Sequence, residues 1–192
     1  MIMWKSKWVA LLILSLAVSV STSIWAAPSK VDEERQEVRK MTKDVLARLY
    51  KAQPKAKAAV SKAAGYATFS NFGMKIFVLG SGTGKGIATD NKTKKETFMK
   101  MIELQTGLGF GVKKFSLVWV FEKPEALATF VNSGWELGTQ ASAAAKAGET
   151  GAAFQGALSV SPGVWVYQLT ETGVALELTA KGTKYYKDDD LN

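Results

Sequence analysis

The stretch Phe115-Ser116-Leu117-Val118-Trp119-Val120-Phe121 decides the fold class. Side chains alternate along a strand, so Phe115, Leu117, Trp119 and Phe121 share one side while Ser116, Val118 and Val120 share the other. Both sides are apolar apart from Ser116, and β-branched and aromatic residues dominate. A strand of this kind has to be covered on both faces. It predicts a central strand with a layer of structure on either side. The runs Tyr66–Phe72, Lys75–Leu79, Val164–Leu169 and Val174–Leu178 have the same residue types between glycines and read as further strands. Asp90-Asn91-Lys92 reads as a hairpin turn.

The covering layer on one side is written upstream. Ser29 has the spacing of a helix cap, followed by Asp32, Glu33 and Glu34 in a first turn where acids are favoured. Val38, Met41, Val45 and Leu49 then recur at three- and four-residue steps, which predicts an amphipathic helix to about Lys51. Pro54 suits the first position of a second helix, Ala- and Lys-rich until Gly65. A third, short helix is predicted over Lys123–Gly134, with Pro124 at its start, Leu127, Phe130 and Val131 as its apolar stripe and Gly134 as its stop. Trp135–Ala147 is rich in small residues and fits a strand or a helix, with Gly138 favouring strand. The expected architecture is α+β: leading helices packed on a largely antiparallel sheet that could close toward a barrel, with one further short helix.

The chain has 192 residues, enough for one ordinary domain. Residues 1–26 read as a secretory signal peptide: Lys5 and Lys7, an apolar run from Trp8 to Val20, and small and polar residues up to Ala26. That run is shorter than the roughly 20 residues that span a bilayer core, so an uncleaved anchor is the lesser reading. Residues 27–192 are then a single exported domain, expected in a periplasm. With no Cys and no His, disulfides, thiolate and imidazole metal ligands and the common nucleophile-base pairs are excluded.

Several motifs invite chemistry and fail on spacing. Gly80-Ser81-Gly82-Thr83-Gly84-Lys85-Gly86 resembles a phosphate loop, but Leu79 stands where its first glycine belongs and Gly86 where its hydroxyl residue belongs. The bland alternative is a glycine-rich strand with close backbone approach, which also covers Gly107, Gly109 and Gly111. Ser81 with Lys85 is a weak nucleophile-base pair, because that stretch supplies little apolar cover to activate a lysine. Asp188, Asp189 and Asp190 read as a solvated end rather than a cation site. Trp119 and Trp165 read as core; Trp135, following a helix stop, could be a surface anchor.

Charge placement is the stronger feature. The whole chain is formally +8. Arg39, Lys40, Lys43, Arg48, Lys51, Lys55, Lys57 and Lys62 give the 39–62 stretch +7 against Asp44 alone, while the rest of the exported chain is near neutral. A basic amphipathic segment suits anionic lipid headgroups; the bland alternative is a solvated helix face whose apolar stripe packs on the sheet. Nucleic acid is disfavoured by export and by the lack of aromatics among these cations.

Taken in order, Gly65-Tyr66-Ala67-Thr68-Phe69 with Asn71, then Val78-Leu79-Gly80 with Gly82, Gly84, Lys85 and Gly86, then Gly107, Gly109 and Gly111, then Leu127 and Phe130, then Tyr167 and Gly173 resemble the SYLF domain family. The resemblance covers about Val38 to Lys184. It implies lipid binding without catalysis. Eukaryotic members bind phosphoinositides and actin filaments, and bacterial ones are exported proteins or lipoproteins. An amphipathic segment at the start of the family's domain is implicated in membrane binding, and Arg39–Lys62 resembles it in position and character. Two departures stand out: Ser70 replaces the family's usual Pro, and Thr97-Phe98-Met99-Lys100 replaces a Trp-Ser-x-Pro segment. The expected function is association with anionic phospholipid through Arg39, Lys40, Lys43, Arg48, Lys51, Lys55, Lys57, Lys62 and Lys85, with no catalytic residue, cofactor or metal. The alternative is a protein–protein module of the cell envelope that uses the Gly107–Gly111 face.

Overall fold

The computed structural model describes residues 28–71, 82–103, 115–137, 154–171, 173–175 and 182–192. The elements run α1 (Lys30–Ala52), α2 (Pro54–Lys62), β1 (Gly65–Ser70), β2 (Gly82–Asp90), β3 (Glu96–Glu103), β4 (Ser116–Phe121), α3 (Pro124–Ser133), β5 (Trp135–Leu137), β6 (Leu158–Ser161), β7 (Val164–Thr170), β8 (Gly173–Ala175) and β9 (Thr183–Lys187). The fold is α+β, with one antiparallel sheet ordered β5-β9-β3-β2-β1-β4-β7-β6 and β8 also pairing with β7.

Local chemistry sets the helix boundaries. The Ser29 hydroxyl accepts from the Asp32 amide at 3.1 Å and starts α1. Pro54 disfavours a helical residue before it, and Gln53 accordingly leaves the helical region at φ −137°, ψ 86°, so α1 breaks and α2 begins. The Asn91 amide, in the β2–β3 turn, donates to the Val60 and Ala63 carbonyls at 2.7 and 2.9 Å and closes the end of α2. Gly134 ends α3 at φ +74°, where a side chain would also meet the Tyr185 carbonyl.

β4 lies between β1 and β7 and is buried at every residue. Leu117, Trp119 and Phe121 face one core with Phe69, Met99, Met101, Phe130 and Tyr185. Val118 and Val120 face a second, formed with Val45 and Leu49 of α1, Ala56, Ala59 and Val60 of α2, and Trp165 and Tyr167 of β7. The sheet curls around the first core. In the strand order, β4 and β5 are separated by five steps, about 24 Å if the sheet were flat at about 4.8 Å per strand. Yet the rings of Trp119 and Trp135 are 5.9 Å apart. α3 fills this concave side, with Phe130 5.1 Å from Trp119 and 4.9 Å from Phe121. The curled sheet ends at β5 and β6, and no pairing among the described residues closes it into a barrel.

Two readings of single residues are corrected. Trp135 is no surface anchor; it is half-buried against Trp119 because the curl brings β5 over β4. Asp188 is fully buried rather than part of a solvated end. Its amide donates to the Phe98 carbonyl, prolonging the β9–β3 ladder, and its carboxylate pairs with Lys100 at 2.9 Å. Leu191 packs with Val38, Ile87 and Phe98, its carbonyl accepts from Arg35 at 2.9 Å, and the Asn192 side chain bonds both backbone groups of Phe98. The 188–192 segment therefore straps α1 to β3.

Candidate functional site

The basic segment occupies the outer layer. At about 100° per residue, the buried stripe of α1 (Val38, Thr42, Val45, Leu49) has Lys40, Lys43, Asp44 and Lys51 on the opposite side. In α2, Ala56, Ala59 and Val60 are buried; Lys57 lies on one flank of that stripe, and Lys55 and Lys62 share the other. All five of Lys40, Lys43, Lys51, Lys57 and Lys62 are exposed, and no ion pair holds any of them among the described residues. The apolar stripe of α1 is already used against the sheet, where Thr42 and Thr68 share a buried hydrogen bond of 2.7 Å.

Of the other four predicted cations, Arg39, Arg48 and Lys85 are committed to the protein itself, while Lys55 stays exposed. Arg39 pairs with Glu96 at 2.7 Å and lies over the Phe98 ring at 5.1 Å. Arg48 donates to the Thr170 carbonyl at 2.8 Å, and Lys55 makes a long contact of 3.4 Å to the Gln155 side chain. Lys85 is half-buried on β2 and forms an ion pair with Glu34 of α1. Desolvation is the main cause that lowers its pKa, opposed by the charge of Asp188 and assisted by that of Lys100. Lys100 is the cross-strand neighbour of Lys85. Hydrogen bonds to Asp190 and Asp188 hold its ammonium above the ordinary lysine range. These two like charges are tolerated side by side because Glu34, Asp188 and Asp190 neutralise them. The structure thus divides the nine predicted residues: exposed lysines on α1 and α2 that no described ion pair holds, Lys55 among them, and Arg39, Arg48 and Lys85, which fasten the helices and strands together.

The glycine-rich motif has a packing role. Gly84 and Gly86 lie in β2, not in a loop, on the concave side. A Cβ at Gly86 would fall 2.1 Å from the Thr68 carbonyl and 2.4 Å from the Phe69 ring; one at Gly84 would fall 2.3 Å from the Met101 side chain. The missing side chains are the space these neighbours fill. Ser81 and the Gly107–Gly111 face lie outside the described residues, as does the signal segment.

One groove that the sequence did not signal lies beside α2. It has a volume of about 480 Å³, with Ala58, Ala59 and Ala63 as its floor, Phe154 as one wall and Lys55 and Lys62 at its edge. Among the described residues, no group of carboxylates could hold a metal ion and no helix is long and apolar enough to cross a membrane.

Residues 102–192 match the model of a family described as "Ysc84: Las17-binding protein actin regulator". The chain is also 33% identical over 166 residues to Beta cell expansion factor A of Aeromonas veronii, a match that covers 85% of this chain. The chain spans 61% of the length of that relative.

Proposed function

The chain carries a domain of the SYLF (Ysc84) family, and on that premise we propose that it is a non-catalytic module that associates reversibly with anionic phospholipid at a membrane surface. The observation that carries this reading is the outer face of α1 and α2, where Lys40, Lys43, Lys51, Lys57 and Lys62 stand exposed with Asp44 as the acid among them. Each lysine near an anionic surface contributes about 1 kcal/mol, and the attraction decays within about 8 Å at physiological salt. Because the apolar stripe of α1 is packed on the sheet, adsorption is electrostatic and stays at the headgroup level. In this reading, residues 1–26 direct export and the domain works at the cell envelope, peripheral to its membrane. No ligand chemistry needs Cys, His or a metal.

Co-sedimentation with vesicles of phosphatidylglycerol and of phosphatidylcholine, across salt, tests the proposal. Binding to the anionic vesicles that falls as salt rises supports it. Equal binding to both, or none to either at low salt, overturns it. A protein partner is the second reading, favoured by the Las17-binding description of the matched family. Capture of an envelope protein that survives neutralisation of Lys51, Lys55 and Lys57, but is lost on bulky replacement of Gly109, would select it.

A further inference from the structure

Resting on the lipid-surface reading and sharing Lys62 with its lysine face, we propose that the groove beside Phe154 is a site for one anionic single-chain amphiphile. The floor is apolar and built from small side chains: Ala58, Ala59 and Ala63 leave a trough alongside α2. Its far wall is fixed, because the Phe154 ring stacks on Trp165 with centroids 4.6 Å apart and planes 7° from parallel. Lys55 and Lys62 are seven residues apart, so they project on nearly the same side of α2 about 10 Å apart along its axis. Two long side chains at that spacing can close on a single carboxylate or phosphate placed between them. The acid in the lining, Glu122, accepts from the Trp165 indole nitrogen at 3.3 Å, and the lining keeps one excess positive charge. A volume of about 480 Å³ falls within the roughly 300–1,000 Å³ of small-molecule sites. An apolar trough with a cationic rim matches one hydrocarbon chain carrying one anionic head. A polyanion would find two cations only, and an uncharged detergent would leave the rim unused.

The test is calorimetric titration of the full chain with dodecanoate, dodecyl phosphate and, as the uncharged control, dodecyl maltoside, each below its micelle concentration. Saturable one-to-one binding of either anionic probe, at least tenfold tighter than the maltoside, is expected, and the preferred anion identifies the headgroup class. Ala58→Trp fills the trough from an exposed position and should weaken that binding at least tenfold while the thermal melt stays in place. Lys55→Gln with Lys62→Gln should erase the preference over maltoside. Absence of saturable binding, equal affinity for maltoside, or unchanged affinity in Ala58→Trp overturns the proposal. Vesicle co-sedimentation of Ala58→Trp separates this site from the lysine face: it should match the wild type, so groove binding and vesicle binding can fail independently.

Discussion

Replacing Lys100 by Met probes the strap that holds α1 to the sheet. The Lys100 ammonium touches the Asp188 carboxylate at 2.9 Å and that of Asp190 at 2.7 Å, and Asp188 has no solvent exposure. One oxygen of Asp188 accepts from Lys100 and the Asp190 amide, while the other has no hydrogen-bond partner. Removing the lysine leaves a buried carboxylate without its counter-charge, a change that costs about 3–5 kcal/mol in well-buried pairs. Lys100 keeps 29% side-chain exposure and the Asp190 arm is at the surface, so the lower end, about 3 kcal/mol, is expected. For a chain of this size that corresponds to a fall in Tm of about 6–12 °C. Adding Asp188→Asn removes the stranded charge and should restore all but about 1 kcal/mol. The pH dependence has a definite sign. The raised Lys100 value means its contribution in the wild type is complete below the ordinary lysine pKa and persists across the working range. The Asp190 carboxyl is lowered, chiefly by its hydrogen bond from Lys100, so its contribution fades only as pH falls below 3.8. Urea unfolding followed by circular dichroism measures all of this. A Lys100→Met deficit under 0.5 kcal/mol, or no rescue by Asp188→Asn, would refute the reasoning.

Gly86→Ala should be strongly destabilising, because the new methyl meets a strand carbonyl that cannot step aside; soluble yield and Tm should both drop, while Thr83→Ala on the exposed part of β2 should change neither. Leu49→Ala, fully buried where α1 meets the second core, should cost about 2–5 kcal/mol by urea unfolding. Burial pushes the Tyr50 and Tyr167 phenols up to about 12, with the Tyr66 charge adding to the effect at Tyr50. Since the folded values are raised, the stability they contribute is present below pH 10 and lost as pH rises toward 12; absorbance titration at 295 nm should show two tyrosines ionising late or only on alkaline unfolding.

Periodicity made much of this fold legible. The double-sided stretch at Phe115–Phe121 identified the central strand because its alternation is a direct consequence of two cores, and the cap at Ser29, the break at Pro54 and the stop at Gly134 follow from backbone chemistry that any sequence displays. β3, β6 and β9 were not legible. Their residues, such as Lys100, Ser159 and Lys184, break the apolar pattern because these strands carry ion pairs or lie toward the ends of the sheet. Asp188 misled for a related reason: three consecutive acids look solvated, and only the third dimension places Lys100 against one of them. Within the basic segment, the sequence located the charge but did not separate the exposed lysines from Arg39, Arg48 and Lys85, whose partners lie on Glu96, Thr170 and Glu34. The groove had no signal in one dimension, since it depends on Phe154 lying beside alanines of α2.

The central claim is that exposed lysines on α1 and α2 hold the domain to an anionic membrane. The direct measurement is the partition of a variant with Lys40, Lys43, Lys51 and Lys57 all changed to Gln between buffer and phosphatidylglycerol vesicles at low salt, beside the wild type. At about 1 kcal/mol per residue, the variant should bind roughly two to three orders of magnitude more weakly, with an unchanged melt. Binding within threefold of the wild type would contradict the account.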